Sequence, residues 1–158
     1  MASDVYNSFL GRLMGDISHV ATAINLATDT IKLSLHTSSY TPDVNAATGD
    51  VFFEDVDNEI STTGTYTAGI AGGYTLTIVT TAGVQTDDTD DEGVLDFTDV
   101  SITSATITAR YAIVRKDTGV ASTSPVLFYI DFGSNQTSTA GTFTIAFAAE
   151  GVLNIATA

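Results

Sequence analysis

Two runs of residues decide the fold of this chain: Thr106-Ile-Thr-Ala-Arg-Tyr-Ala-Ile-Val-Arg115 and Pro125-Val-Leu-Phe-Tyr-Ile-Asp-Phe132. The first run alternates between apolar and polar residues, and its inward face would consist of Ile107, Ala109, Tyr111 and Ile113. The second run is apolar on both faces, which is typical of a central strand that is covered on two sides. Turn-forming residues connect the two runs. We therefore predict that Ser104–Phe132 forms the core hairpin of a β-sandwich or barrel.

Three further segments have strand patterns, at Asp29–His36, Tyr74–Thr80 and Thr142–Ala148. In the first of these, Ile31, Leu33 and Leu35 would face inward, while Lys32, Ser34 and His36 would face solvent. After the central hairpin, and before the strand at Thr142–Ala148, the sequence predicts a turn at Gly133–Gly141.

The core pattern also changes phase along the chain. Val100 and Ile102 are even-numbered, whereas the core face of the following strand is odd-numbered. Because a shift of one residue inverts the faces of a strand, we predict a bulge or bend near Thr103–Ala105.

Two short helices are predicted, one from Ser3 or Asp4 to Met14 and one from Val51 to Ile60, each with apolar residues at helical spacing. No internal repeat or linker divides the chain. The fold prediction is therefore a mainly β single domain over residues 1–158, a sandwich or barrel of about seven to nine strands with one or two short helices.

The composition restricts the possible partners. The 158 residues include 19 acidic and five basic side chains, which gives a formal net charge of −14. Such a charge argues against direct binding to nucleic acid and against an anionic membrane surface. The chain has no cysteine, so disulfides and thiolate metal sites are excluded. The N-terminus lacks the pattern of a signal peptide, and no apolar run is long enough to span a bilayer. We expect synthesis in the cytoplasm.

The acidic loop at 87–92 is the densest charge cluster, with Asp87-Asp-Thr-Asp-Asp-Glu92 followed by Gly93. Asp88, Asp90 and Glu92 imitate the start of a calcium loop, and Asp99 falls where a final carboxylate would stand. The match to a calcium loop is poor, because the usual final Glu is an Asp and the strand-like segment Val94–Phe97 intervenes. We predict a solvated loop that binds no metal.

The sequence contains no motif for catalysis. His19 and His36 are the two histidines, and no Gly-x-Ser-x-Gly elbow is present. The glycine-rich Gly69–Gly73 lacks the strand-to-helix context and the Lys of a phosphate loop. Arg110 is expected to pair with Asp131 on the neighbouring strand, with an interface anchor as the alternative. We expect no enzymatic activity and no cofactor.

Seven segments, spread in order over nearly the whole chain, resemble a known family. They are Asp4-Val-Tyr-Asn-Ser-Phe9, Leu26–Asp43, Asp55-Val-Asp-Asn-Glu-Ile60, Gly64-Thr-Tyr-Thr-Ala-Gly69, Thr106-Ile-Thr-Ala-Arg-Tyr-Ala112, Tyr129-Ile-Asp-Phe-Gly-Ser-Asn-Gln136 and Glu150-Gly-Val-Leu-Asn154. In these segments the chain is similar to small virion structural proteins of tailed double-stranded DNA phages. It departs from the family pattern at Gly69-Ile-Ala-Gly-Gly73, which has extra residues.

The resemblance implies a structural role in the virion. The leading expectation is a capsid decoration or cement protein that binds in many copies to the outer capsid lattice. The expected partners are the major capsid protein or other virion proteins, together with further copies of the chain itself. A tail or neck component is the alternative. A host-surface glycan-binding module is a further alternative, which Tyr40, Tyr66 and Tyr74 are too scattered in sequence to support.

The shortage of basic residues favours attachment through an apolar patch. The candidate contact residues lie on the predicted N-terminal helix and are Val5, Tyr6, Phe9 and Leu10. The equally weighted alternative is that this helix covers an open end of its own sandwich.

Overall fold

The computed structural model describes residues 3–15, 23–79, 84–87, 92–148 and 151–156. Its regular elements, in chain order, are β1 Ser3–Val5, α1 Asn7–Leu13, β2 Ile31–His36, β3 Tyr74–Thr75, β4 Val84–Asp87, β5 Glu92–Leu95, β6 Val100–Lys116, β7 Val126–Ile145 and β8 Leu153–Ala156. Two antiparallel sheets result, with strand orders β1-β7-β6-β2-β3 and β4-β5-β8. The mainly β, sandwich-like prediction is confirmed.

The long hairpin β6–β7 forms the centre of the larger sheet. Its register runs from Val100 opposite Ile145 to Arg115 opposite Val126. Strand β7 lies between β6 and β1, and Val126, Leu127 and Phe128 are buried. The predicted core hairpin is therefore present. It extends further than the sequence indicates, because the predicted turn at Gly133–Gly141 is wrong and these residues continue β7.

Register shifts interrupt this hairpin at three places, the last of them between Val114 and Arg115. The predicted phase change is confirmed, because the register shifts between Ile102 and Ala105 and again between Ala105 and Ile107. Ser104, inside this region, has a left-handed φ of 53°. Such an irregularity leaves a residue unpaired and rotates the side chains that follow.

A second shift, between Ala109 and Tyr111, was not predicted. Beyond it Ala112 and Val114 point into the main core, whereas Tyr111 and Ile113 belong to the opposite face. The prediction that Tyr111 and Ile113 share a face with Ile107 is therefore wrong. Tyr111 is half-buried.

Both faces of the larger sheet are covered. The main core lies between the two sheets, and it contains Ile31, Leu33 and Leu35 as predicted. A second core on the opposite face contains Tyr6, Tyr40, Ile113 and Val126. Four tyrosine rings contact one another there, with centroid separations of 5.8 to 6.3 Å in edge-to-face geometry: Tyr6, Tyr40, Tyr111 and Tyr129.

This second core corrects the orientation predicted for β2. Ser34 and His36 were expected to face solvent, yet both are fully buried. The polar residues of β2 are buried because they have partners: His36 bonds to the Asp57 carbonyl of the covering loop, and Ser34 bonds to His36.

The predicted helix Val51–Ile60 is also wrong, since only a 3₁₀ turn, Phe53–Asp55, forms there. The backbone of this segment bonds outward to the connection between β6 and β7. Phe53 N–H donates to the Ser124 carbonyl at 2.8 Å, and Val126 N–H donates to the Val51 carbonyl at 3.2 Å. The Asp55 carboxylate accepts from the Val51 and Phe52 amides and closes the turn locally. Backbone pairing with residues 124–126 therefore determines the structure of this segment, although its apolar residues have helical spacing.

A turn around Gly64 satisfies the backbone at the first bulge. Thr65 N–H donates to the Thr103 carbonyl at 3.1 Å, and the Thr65 hydroxyl accepts from Thr103 N–H at 3.0 Å. The Thr63 hydroxyl likewise accepts from Thr106 N–H at 3.0 Å. Gly64 lies directly against this contact. It has φ 55°, and an added Cβ would be 2.2 Å from the Thr103 carbonyl oxygen.

We expect the substitution Gly64→Ala to destabilise the fold strongly. Any L residue at positive φ costs about 1–2 kcal/mol, and the clash with Thr103 would add roughly 1–3 kcal/mol. Gly119→Ala is the matched control, because Gly119 also has positive φ, 81°, but nothing lies within 4 Å of an added Cβ. Chemical denaturation would measure both variants. Equal losses would contradict the proposed close contact.

Candidate interaction surface

The N-terminal segment is anchored in the fold by backbone pairing and by one buried tyrosine. Strand β1 pairs with β7, and Tyr6 N–H then donates to the Leu127 carbonyl at 3.0 Å. The Tyr6 side chain is fully buried. Its hydroxyl lies 2.8 Å from that of Tyr40, which in turn donates to Asp50 Oδ2 at 2.5 Å.

Burial shifts the protonation equilibria of this network towards the neutral forms. It raises the pKa of both tyrosines and also raises the pKa of the Asp50 carboxyl. The hydrogen bond from Tyr40 and one from Asp43 N–H act in the opposite direction on Asp50. The network therefore fixes the start of α1 without exposing a charge.

Helix α1 has an inner and an outer face. Ser8, Phe9 and Arg12 point inward and are at most 8% exposed, and the Arg12 guanidinium lies 5.0 Å from the centre of the Phe52 ring. The outer side carries Leu10 and Leu13 together with Met14, the C-terminal cap residue of the helix, and these are 37%, 39% and 82% exposed. We call these three side chains the α1 patch. Their spacing of i, i+3 and i+4 places them side by side.

The α1 patch revises the predicted contact residues. Tyr6 and Phe9 are fully buried in their own chain, so the prediction that they contact a partner is corrected: they are core residues. Val5 is half-buried and pairs with β7, whereas Leu10 remains accessible. Leu13 and Met14 were missed as contacts, although helical spacing from Leu10 would have found them. Within the described ranges, only Val120 and Ile155 are further exposed large hydrophobic residues.

The acidic loop is only partly described. Asp88 and Asp90 lie outside the described residues. The Glu92 carboxylate accepts from Asn154 Nδ2 at 3.1 and 3.2 Å, and Asp99 Oδ1 accepts from Phe147 N–H at 3.0 Å. Each of these two carboxylates thus has its own structural partner. No cluster of three or more metal-ligating side chains occurs among the residues that could be placed.

His36 is a structural residue in this geometry. Its Nδ1–H donates to the Asp57 carbonyl at 2.7 Å, so Nε2 accepts from the Ser34 hydroxyl at 2.9 Å. A Ser–His pair at this distance resembles part of a nucleophilic site, but both side chains are fully buried and no substrate could reach them. His19 lies outside the described residues.

The Gly69–Gly73 loop presents carbonyl groups inward. Arg115, fully buried, donates from Nη2 to the carbonyls of Gly69, Ile70 and Gly72 at 3.2 to 3.4 Å. The Arg115 guanidinium also lies 3.8 Å from the centre of the Phe53 ring. Since a phosphate cradle needs inward N–H groups, this arrangement fits a structural turn.

Arg110 pairs with Asp131 as the sequence predicts. Nε donates to Oδ1 at 2.6 Å and Nη2 donates to Oδ2 at 2.9 Å, while Nη1 donates to the Gly133 carbonyl at 2.6 Å. The pair lowers the pKa of the Asp131 carboxyl through its hydrogen bonds. With its donors engaged inside the chain, Arg110 stabilises the bend at Gly133.

Comparison with protein-family models, with curated proteins and with solved structures gave no match. Over the ranges that the structure covers, no helix has the length and the apolar character that crossing a bilayer requires. The function of the α1 patch must therefore be argued from the residues of this chain.

We expect calcium to leave the thermal stability unchanged. A bound cation would raise the melting temperature through mass action, and a chelator would lower it. Thermal scans with calcium and then with a chelator should agree within error. A rise of several degrees with calcium, lost in an Asp90→Asn variant, would instead establish a site at the acidic loop.

We also expect the stability to fall as the pH drops from about 6.5 to about 4. Burial lowers the pKa of His36 from 6.5 to about 4. The unfolded chain therefore takes up a proton in this window before the folded chain does, which costs about 3 kcal/mol by pH 4. Asp50, whose pKa is raised, opposes this trend.

Urea denaturation at several pH values would measure the effect. A His36→Gln variant should lose this pH dependence, whereas the matched variant His19→Gln should keep it. The assignment to His36 fails if the two variants show the same slope.

Proposed function

We propose that this protein is a capsid decoration or cement protein of a tailed double-stranded DNA phage, bound in many copies to the outside of the capsid. The observation that carries the proposal is the α1 patch, in which three exposed apolar side chains adjoin on a helix that is itself fixed to the sheet. The resemblance of seven sequence segments to phage virion proteins supplies the biological setting.

The anchoring of α1 supports a role as a rigid contact element. A seven-residue helix is marginal alone, so its outward face is held in place by the pairing of β1 with β7 and by the buried Tyr6. A preformed surface costs less ordering entropy on binding than a flexible one. Such a surface suits a protein that must occupy many equivalent lattice positions.

The charge distribution supports an outer position on the particle. With 19 acidic and five basic residues, the chain is repelled by packaged DNA. Of the basic residues, Lys32 pairs with Asp117, Lys116 with Asp29 and Arg110 with Asp131. Attachment would therefore depend on apolar contact.

A tail or neck component remains the alternative within this class. It shares the same features and differs only in the lattice to which the α1 patch would bind. Fractionation of particles separates the two, because a decoration protein stays with tailless heads and a tail protein does not.

We expect the double variant Leu13→Ser, Met14→Ser to lose attachment to capsids while it remains folded. Both side chains are exposed, so their replacement should change stability by less than about 1 kcal/mol, whereas binding loses its apolar contact area. Co-sedimentation with capsids that lack the protein would measure attachment. Deletion of residues 1–14 would be a poor test, since it removes the core residues Tyr6 and Phe9.

Val120→Ser is the matched control, because Val120 is 54% exposed in the connection between β6 and β7, away from α1 in sequence. This variant should bind like the natural protein. Moderate salt should also leave attachment intact, since screening weakens exposed ion pairs more than apolar contacts. Normal sedimentation of the double variant with capsids would contradict the role of the α1 patch.

A further inference from the structure

The second half of β7 forms an open edge of the larger sheet. Strand β1 pairs with β7 only at residues 128–130, and β6 pairs with the opposite side of β7 along its length. From Gly133 to Ala140 every residue except Ser138 is exposed. An added Cβ on Gly133 would find no atom within 4 Å. Among the residues that the structure describes, no further strand lies beside this part of β7.

A hydrogen bond on the far side of β6 shows which backbone groups of this edge point outward. Thr106 N–H donates to the Thr63 hydroxyl and therefore points away from β7. Backbone directions alternate along a strand, so the N–H and C=O of Thr108 also point away from β7. Thr137 lies directly opposite Thr108 in a regular stretch of the register. Its own N–H and C=O are therefore turned away from β6, towards the open side.

The outward groups form a row that is ready to pair with another strand. The same alternation gives Asn135 and Thr139 the outward direction of Thr137. Within the described ranges, the backbone groups of these three residues make no hydrogen bond to another loop or turn. Edge strands are usually protected against further pairing by charged residues or proline. The segment Phe132–Ile145 contains neither.

We propose that a second copy of this chain pairs with the edge in antiparallel orientation, around a two-fold axis at Thr137. In this register Thr137 lies opposite Thr137 of the second copy, and Asn135 lies opposite Thr139. The outward N–H and C=O groups of the two copies then face each other, so that each donor meets an acceptor. The isologous contact needs no other partner, because the same segment supplies both strands.

The charge distribution favours a second copy at this place. With a net charge of −14, two copies repel each other over most of their surface. The edge is neutral, and the nearest carboxylate, Asp131, is already paired with Arg110. The contact is short, since six residues of strand span about 20 Å, so association should be weaker than through a standard interface of roughly 1,600 Å². The pairing does not depend on attachment to a capsid.

Sedimentation equilibrium of the full chain would test the pairing. The natural protein should change from monomer to dimer as its concentration rises towards the millimolar range. Thr137→Lys places two like charges directly opposite each other in the dimer and should weaken it about fivefold. Thr108→Lys is the matched control, because Thr108 is exposed on the same face but lies on β6. It should dimerise like the natural protein.

Disulfide cross-linking would test the register, since the chain has no cysteine of its own. Opposite residues of a hydrogen-bonded antiparallel pair have Cα atoms about 5.5 Å apart, which lies within the range of a disulfide. Thr137→Cys should therefore oxidise to a covalent dimer much faster than Thr108→Cys. Equal rates for the two variants would contradict the two-fold axis at Thr137.

Three other results would overturn the proposal. The first is a natural protein that stays monomeric at millimolar concentration. The second is a dimer that Thr137→Lys does not weaken, because the copies would then meet at another surface, such as the α1 patch. The third is a monomeric chain whose attachment to capsids is lost in Thr137→Lys, which would show that the edge pairs with a strand of a capsid protein instead.

Discussion

The pairing of β6 with β7 is the constraint on which the rest of the structure depends. Both strands are unusually long, at 17 and 20 residues, and a typical strand has about 5–6. A ribbon of this length cannot stay flat, because strands twist, and bulges are the usual way to bend one. The shifts at Ala105 and Tyr111 divide β6 into segments whose core faces alternate. These shifts direct the side chains of β6 into two separate cores.

Covering a sheet on both faces requires buried polar groups to find partners within the chain. Tyr6, Tyr40 and Asp50 form one such network, and Ser34, His36 and the Asp57 carbonyl form another. Glu59 forms a third, since it accepts from the Tyr66 hydroxyl at 2.5 Å and from Gly69 N–H at 2.9 Å. The first network ties the 37–50 loop to Tyr6 at the start of α1. The other two tie the 57–73 loop to β2, since the Tyr66 hydroxyl also accepts from Leu35 N–H at 3.0 Å. These side-chain networks act together with backbone bonds, such as the one from Ile60 N–H to the Leu35 carbonyl at 2.9 Å, and hold the loops at 37–50 and 57–73 against the sheet.

The periodicity of the sequence predicts those features of the fold that depend on residues close together in the chain or directly opposite on a neighbouring strand. The inward residues of β2, the strand at Phe143 and Ile145, the first bulge and the Arg110–Asp131 pair all follow from alternation or from cross-strand proximity. The second bulge leaves no such signal, because Tyr111 to Val114 is apolar on both faces and fits either phase. The contact of Gly64 with Thr103 joins residues 39 positions apart, which no local pattern reports. The Gly133–Gly141 segment has turn residues, yet it is a strand because β6 supplies its pairing partners.

The α1 patch depends on β7, and this limits which substitutions can test it. Helix α1 contacts β7, and β1, which precedes the helix, pairs with the same strand. A core change such as Phe128→Ala would remove a side chain that is 4% exposed and would disturb the α1 patch through lost stability. Met14 is 82% exposed, so a change there alters the α1 patch and leaves the core contacts in place. A loss of attachment in such a variant, at unchanged stability, therefore separates binding from folding.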